Sequence, residues 1–415
     1  MGTTRGTLVD LGYDFERHNA EVERLWDDFA LGRPNRVPVA LGASTRYYIL
    51  DEAANPDGLT FRRYHGNPDT MLRAQARFAD WARHNVLQDA ELGLPADGWD
   101  VRVDFQNYYE AAWLGCPIEY VDGQVPDTVP AYSDDARKRE IFDVCPDPWG
   151  GIMGLNLEYY QHMARRQAEG FEHRGRPIRS VSLNALGTDG PFTVACNIRG
   201  ATEICLDLYV DPGYAHELLD FITEAVIARI RAYREFLGEP IVRPSFGWAD
   251  DSIQNLSTEL YAEFVLPCHK KLVAAFADPA APAYEPAGTG GMAKAGQAVR
   301  HNSIHLCGDA ARHFPLIQHE LDVQSFDTGY PIDFGAVRRA LGPGAQISGG
   351  PTVELLLAGT PEQIREEVRR ILKDTGVAEG RRFVLREANN LAPHTPLGSI
   401  RAMYEAAREF GRYET

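Results

Sequence analysis

The sequence predicts an α/β fold: a single (β/α)8 (TIM) barrel over residues 1–415 with an N-terminal helical extension. Three observations point there. The last ~110 residues alternate strand-patterned and helix-patterned segments four times, which implies a parallel sheet. Four more strand candidates precede them, making eight. No G-x-G-x-x-G turn follows the first strand, as a dinucleotide-binding doubly wound sheet would require.

The early strand candidates are RVPVAL (36–41), WDVRVDF (99–105), IRSVSLNAL (178–186) and IVRPSFG (241–247). Long helical patterns cover 68–86, 213–237 and 258–277. A strand at 299–306 then leads to a helix at 309–320, and LDVQSFD (321–327) to a helix at 333–341. AQISGG (345–350) precedes TPEQIREEVRRILKDTG (360–376), whose punctuation is clear. Thr360 is a good N-cap, Pro361 suits the first turn and Gln363 completes a capping box. Ile364, Val368, Ile371 and Leu372 form the apolar stripe, and Gly376 ends the helix. RRFVLRE (381–387) is the last strand and 397–411 the last helix. The Gly/Ala/Pro-rich stretch 277–296 reads as a loop over the site rather than a linker.

A chain of 415 residues with 44% hydrophobic and 24% charged residues can bury a large core. A net charge of -17 argues against nucleic-acid or anionic-membrane binding. No apolar run approaches the roughly 20 residues that span a bilayer, and the first residues show no apolar signal region. Cys116, Cys145, Cys196, Cys205, Cys268 and Cys307 lack the spacing of a disulfide scaffold. A reduced, cytoplasmic enzyme is the expectation.

Barrel chemistry collects at the C-terminal ends of strands. Those ends are Gly247-Trp248-Ala249-Asp250-Asp251, His305-x-Cys307, Asp327-Thr328, Gly349-Gly350 and Glu387-x-Asn389. Residues i and i+2 of a strand face the same way, so His305 and Cys307 project together. An imidazole and a thiolate side by side are half of a zinc site. Asp327 is the first choice for a further ligand and Glu387 the second. Asp250 and Asp251 are candidates for proton transfer, and adjacent carboxylates in an irregular loop either share a proton or point apart. Asn389 and Asn390 can donate to a substrate oxygen. His394, between Pro393 and Thr395, reads as a turn residue rather than a ligand. The aromatic run DFQNYYEAAW (104–113) either walls a flat substrate or belongs to the core.

GTDGPFTVACNIRG (187–200), DLYVDPGYAHELLDFITE (207–224), LSTELYAEFVLPCHKKLV (256–273), HLCGD (305–309), ISGGPTVELLLAGTPEQI (347–364) and LAPHTPLGSIRAMYEAAREFG (391–411) together resemble the uroporphyrinogen decarboxylase superfamily. The resemblance implies one barrel domain and two alternative chemistries. One branch decarboxylates a tetrapyrrole without a cofactor; the other comprises zinc-dependent methyltransferases acting with corrinoid or thiol acceptors. His305 and Cys307 match the H-x-C element of the zinc branch. Its usual third ligand, a cysteine before a P-x-T-P turn, is replaced by Asn389 in REANNLAPHTP. Of the arginine-rich signature of the decarboxylases, GASTRYY (42–48) keeps Arg46 and Tyr47, which become candidate substrate-binding residues.

The expected function is therefore a zinc-dependent methyltransferase, with Zn(2+) as cofactor and a small-molecule methyl donor as substrate. No D-x-H-x-x-G corrinoid element is present, so any corrinoid would be carried by a partner protein. Two alternatives stay open: a metal-free decarboxylase that anchors carboxylates with Arg46, and a non-catalytic ligand-binding barrel.

Overall fold

The computed structural model describes Leu8, residues 12–282 and residues 301–414. Residues 283–296 of the expected site loop lie outside the described residues. Among the described residues, seven parallel strands carry the architecture: β1 (Trp99–Arg102), β2 (Arg176–Ser182), β3 (Gly247–Ala249), β4 (Asn302–Leu306), β5 (Val323–Thr328), β6 (Gln346–Gly349) and β7 (Phe383–Leu385). β1 pairs with β2 in one sheet, to which Glu172–His173 adds a short antiparallel strand. A five-stranded sheet runs β7-β6-β5-β4-β3, parallel throughout, and Ile118–Glu119 pairs antiparallel with Asp127–Thr128 in a small third sheet. Isolated backbone bonds link the pieces. The Ala249 amide donates to the Thr188 carbonyl at 3.1 Å, Ala40 donates to Leu385 at 3.0 Å, and Leu385 also donates its amide to the Pro38 carbonyl at 2.9 Å.

The expected strand 36–41 is extended but makes only isolated bridges, Arg36 with Arg412 and Val39 with Leu385. Pro38 has no amide to donate. The Val39 amide is taken by the Asp89 carboxylate at 2.7 Å, and its carbonyl by the Asp89 amide at 2.8 Å. The expected strand 241–247 is also displaced, beginning only at Gly247. Pro244 breaks its donor pattern, and Arg243 instead bridges Ala277.

Helices surround the strands where the apolar spacing puts them. Phe15–Ala30, the N-terminal extension, is capped by Asp14 and buries His18, Val22, Leu25 and Phe29 at three- and four-residue spacing. Pro68–Asn85 and Pro212–Leu237 fall where the pattern predicts. The 258–277 helix contains a π segment, Tyr261–Val265, immediately before Leu266–Phe276. Pro267 explains it, since proline cannot donate to the preceding turn. Thr360 and Gln363 form the expected capping box on Pro361–Arg369, and a π turn at Arg370–Asp374 carries Ile371 and Leu372 into the core. Among the described residues, no helix is long and apolar enough to cross a membrane.

Burial along β4 alternates. Asn302, Ile304 and Leu306 are buried while Ser303 and His305 are half-buried. The period of two therefore sends Ile304 and Leu306 to the packed face, and His305 with Cys307 to the other.

Candidate metal centre

Register fixes the floor of the site. His305 lies between Ala249 on β3 and Asp327 on β5, and Asp327 is in turn opposite Ser348 on β6. Cross-strand neighbours thus bring His305 and Asp327 together, and Asp327 Oδ2 sits 2.7 Å from His305 Nδ1. Nδ1 is occupied, so Nε2 points the other way, and Cys307 Sγ lies 3.0 Å from it. Asp251 opens the short turn after β3. Its Oδ1 accepts the Cys307 amide at 2.7 Å and lies 3.9 Å from His305 Nε2. One ligand atom each from Asp251, His305 and Cys307 lies within 4.8 Å of the others. Gly329 permits the close approach of the loop after β5, because a Cβ there would stand 2.7 Å from Cys307 Cα.

Burial alone would lower the basicity of His305. The Asp327 carboxylate and Cys307 sulfur outweigh it and push the imidazole up to about 11. Burial raises the Cys307 thiol, and His305 opposes that. A histidine whose Nδ1 is held by a carboxylate while Nε2 faces a thiol and a second carboxylate is the arrangement a zinc ligand set uses. The donor set fits: one sulfur, one nitrogen and one oxygen leave a fourth position for substrate.

It is Asp251, not Asp327, that groups with His305 and Cys307 at ligand-forming distances. Asp327 lies behind the imidazole, its Oδ2 on His305 Nδ1 and on Arg386 Nη1 at 2.5 Å. Glu387 is not at the ligand cluster either. It is fully buried, with Oε1 accepting the Gly42 amide at 2.9 Å and Arg386 Nη2 at 3.2 Å. Asp250 and Asp251 point apart. Asp250 is fully buried and accepts from Phe192 N at 3.2 Å, Thr193 N at 2.7 Å and Thr193 Oγ1 at 2.8 Å, with His269 Nε2 at 2.9 Å. These contacts anchor the start of helix Pro191–Arg199. Tyr47 is a core residue, its hydroxyl donating to the Thr395 carbonyl at 2.6 Å.

Arg46 is held by neutral amides, with Nε 2.6 Å from Gln106 Oε1 and Nη2 2.8 Å from Asn107 Oδ1. Asn389 adopts φ 107 and offers its backbone carbonyl to Arg386, while its Oδ1 accepts from Asn390 Nδ2 at 3.1 Å. His394 sits in a turn with φ 67, as expected. Phe105, Tyr108, Tyr109 and Trp113 of the aromatic run are buried in the core, with the Arg229 guanidinium over Tyr109 and Trp113.

Two residues escaped the sequence reading. Arg386 precedes Glu387 in a strand-end motif where only the acid attracted notice. Asp189, in GTDGPF, is held well above the usual carboxylate range, by burial first and then by Glu110 and Asp251. Its place at the end of the loop after β2 was the available signal.

The uroporphyrinogen decarboxylase (URO-D) family model matches residues 101–410. This chain belongs to the URO-D family. A methylated-thiol–coenzyme M methyltransferase of Methanosarcina mazei is 29% identical over 352 residues, covering 80% of each chain. A uroporphyrinogen decarboxylase of Prochlorococcus marinus is 26% identical over 243 residues, 56% of this chain and 61% of that protein. The solved structure of a methyltransferase from Methanosarcina mazei superposes with a TM-score of 0.58 at 17% identity, covering 94% of this chain and 98% of its own, which supports the shared fold.

Proposed function

We propose that the chain is a zinc-dependent methyltransferase of the URO-D family, with Asp251, His305 and Cys307 as the metal ligands. The observation that carries the proposal is the alignment of Asp327, His305 and Cys307, in which Nδ1 is held from behind and Nε2 faces the other donors. The similarity to a methylated-thiol methyltransferase over most of both chains supports the same reading. In this reading residues 1–415 form one domain, and the three-stranded and five-stranded sheets are arcs of a single (β/α)8 barrel interrupted beside 36–41.

Zinc bound there supplies Lewis acidity, polarising the heteroatom of a methyl donor or keeping a bound thiol as thiolate. Asp327 fixes the tautomer and plane of His305. Asp251 orders the Cys307 backbone through its amide. Replacing a second thiolate by a carboxylate leaves the formal ligand charge unchanged but gives the site a harder oxygen donor, favouring activation of an oxygen- or nitrogen-bound methyl group. Arg46 and Asn390 are the substrate-facing polar groups. Among the described residues no carboxylate forms a salt bridge with Arg46, so its charge is available to an anionic substrate. The acceptor is a corrinoid carried by a partner protein, or a thiol.

The test supplies purified protein with Co(I) corrinoid and a panel of O-, N- and S-methyl donors, and monitors the methyl-Co(III) spectrum. Methyl transfer by wild type that is lost in His305→Ala supports the proposal. No transfer from any donor, with release of carbon dioxide from a tetrapyrrole carboxylate, refutes it.

A further inference from the structure

Behind the proposed ligands lies a second row of charged groups. Arg386 follows β7 on the same side as Val384, which is opposite Ser348 on β6. Ser348 is small and the next residues, Gly349 and Gly350, have no side chain. The long guanidinium therefore reaches across β6 to Asp327 on β5, with Nη1 2.5 Å from Oδ2. That same Oδ2 holds His305 Nδ1 at 2.7 Å. One oxygen thus receives both the arginine and the histidine, while Asp327 Oδ1 is buried without a partner.

Arg386 is itself fixed. Its Nη2 reaches Glu387 Oε1 at 3.2 Å and the Asn389 carbonyl, which the φ of 107 at Asn389 turns toward it. Glu387 is tied in turn to the Gly42 amide. Gly42 leaves room for the group, since a Cβ there would stand 2.5 Å from Glu387 Oε1 and 2.7 Å from Arg386 Nη2. The arrangement runs from backbone at Gly42 and Asn389 through Glu387 and Arg386 to Asp327 and His305.

We propose that Arg386 is a positioning residue for the metal centre: it locks Asp327 in the one rotamer that holds His305 Nδ1, and so fixes Nε2 toward Asp251 and Cys307. The inference rests on the proposed metal site and adds a residue to it. The physical reason is that, among the described residues, Asp327 has two hydrogen-bond partners, both on Oδ2. Without Arg386 the carboxylate would keep a single tether and regain rotamer freedom, and His305 would lose its fixed plane. Residues that orient a ligating histidine typically contribute about 10–100-fold to metal affinity.

The test is a cycle of Zn(2+) dissociation constants, measured by competition with a chromophoric chelator, on wild type, Arg386→Met, Asp327→Asn and the double variant. Arg386→Met is expected to weaken binding about tenfold or more and Asp327→Asn about 10–100-fold. The double variant should bind no more weakly than Asp327→Asn, because Arg386 acts through Asp327. Arg386→Lys, which keeps a donor and the charge, should restore part of the loss. If Arg386→Met does not fold beside the buried Glu387, Arg386→Gln takes its place with the same expectation. Wild-type affinity in the folded, uncharged variant overturns the inference alone, as does a double variant in which the two losses multiply. Wild-type protein that binds no Zn(2+) overturns it together with the proposed function.

Discussion

Replacing Asp250 by alanine separates a catalytic aspartate from a structural one. The side chain is fully exposed to nothing but protein, at 0% accessibility, and so is its partner His269. Substitution strands the amides of Phe192 and Thr193, the Thr193 hydroxyl and the imidazole of His269. A hydrogen bond to a charged group contributes about 1.5–3 kcal/mol, and a buried donor left unpaired costs about 1–3 kcal/mol. These terms overlap and are not additive, but breaking a buried hydrogen-bond network belongs to the short list of changes whose cost exceeds the usual range of about 0.5–3 kcal/mol. Asp250→Ala is therefore expected to lose about 3 kcal/mol or more, a large part of the 5–15 kcal/mol typical of a folded domain. Urea unfolding followed by circular dichroism measures the loss. Asp250→Ala with a wild-type urea midpoint but no methyl transfer would refute the anchor and restore the proton-transfer role that the sequence suggests.

The ligand assignment makes an ordered series in zinc content. His305→Ala, Cys307→Ser and Asp251→Ala should each lose the metal through dialysis, whereas Glu387→Gln should retain one zinc per chain by elemental analysis. Glu387 also predicts a pH dependence. Burial raises its carboxyl from 4.5 to about 7, so the folded state binds more protons than the unfolded between those values. Its contribution is unfavourable to stability as pH rises from about 4.5 to about 7, by about 3 kcal/mol. Glu387→Gln should remove that slope, and parallel stability–pH curves for the two proteins would refute it. Gly42→Ala must push aside Glu387 and Arg386, and should cost about 1–3 kcal/mol in urea unfolding.

The sequence by itself determined the alternation of strands and helices, the capping box at Thr360 and Gln363, and the shared direction of His305 and Cys307. Each follows from local chemistry: side-chain periodicity, a hydroxyl and an amide three residues apart, and the pleat of a strand. Local reasoning also located the strand ends from which Asp251 and Asp327 come. It could not say which of these two stands beside the thiol, because that depends on register between β4 and β5 and on the turn after β3. Nor could it foresee that Asp250 would be consumed by a helix start 58 residues before it in the chain. The prolines at 38, 244 and 267 were visible, yet their effects depended on which amides neighbouring segments required. Tertiary structure alone decided the partners of Arg386, since an arginine on one strand reaches an aspartate two strands away only where the strand between them carries small residues. Sequence separation conceals such contacts because their energy comes from groups that meet only after the sheet has formed.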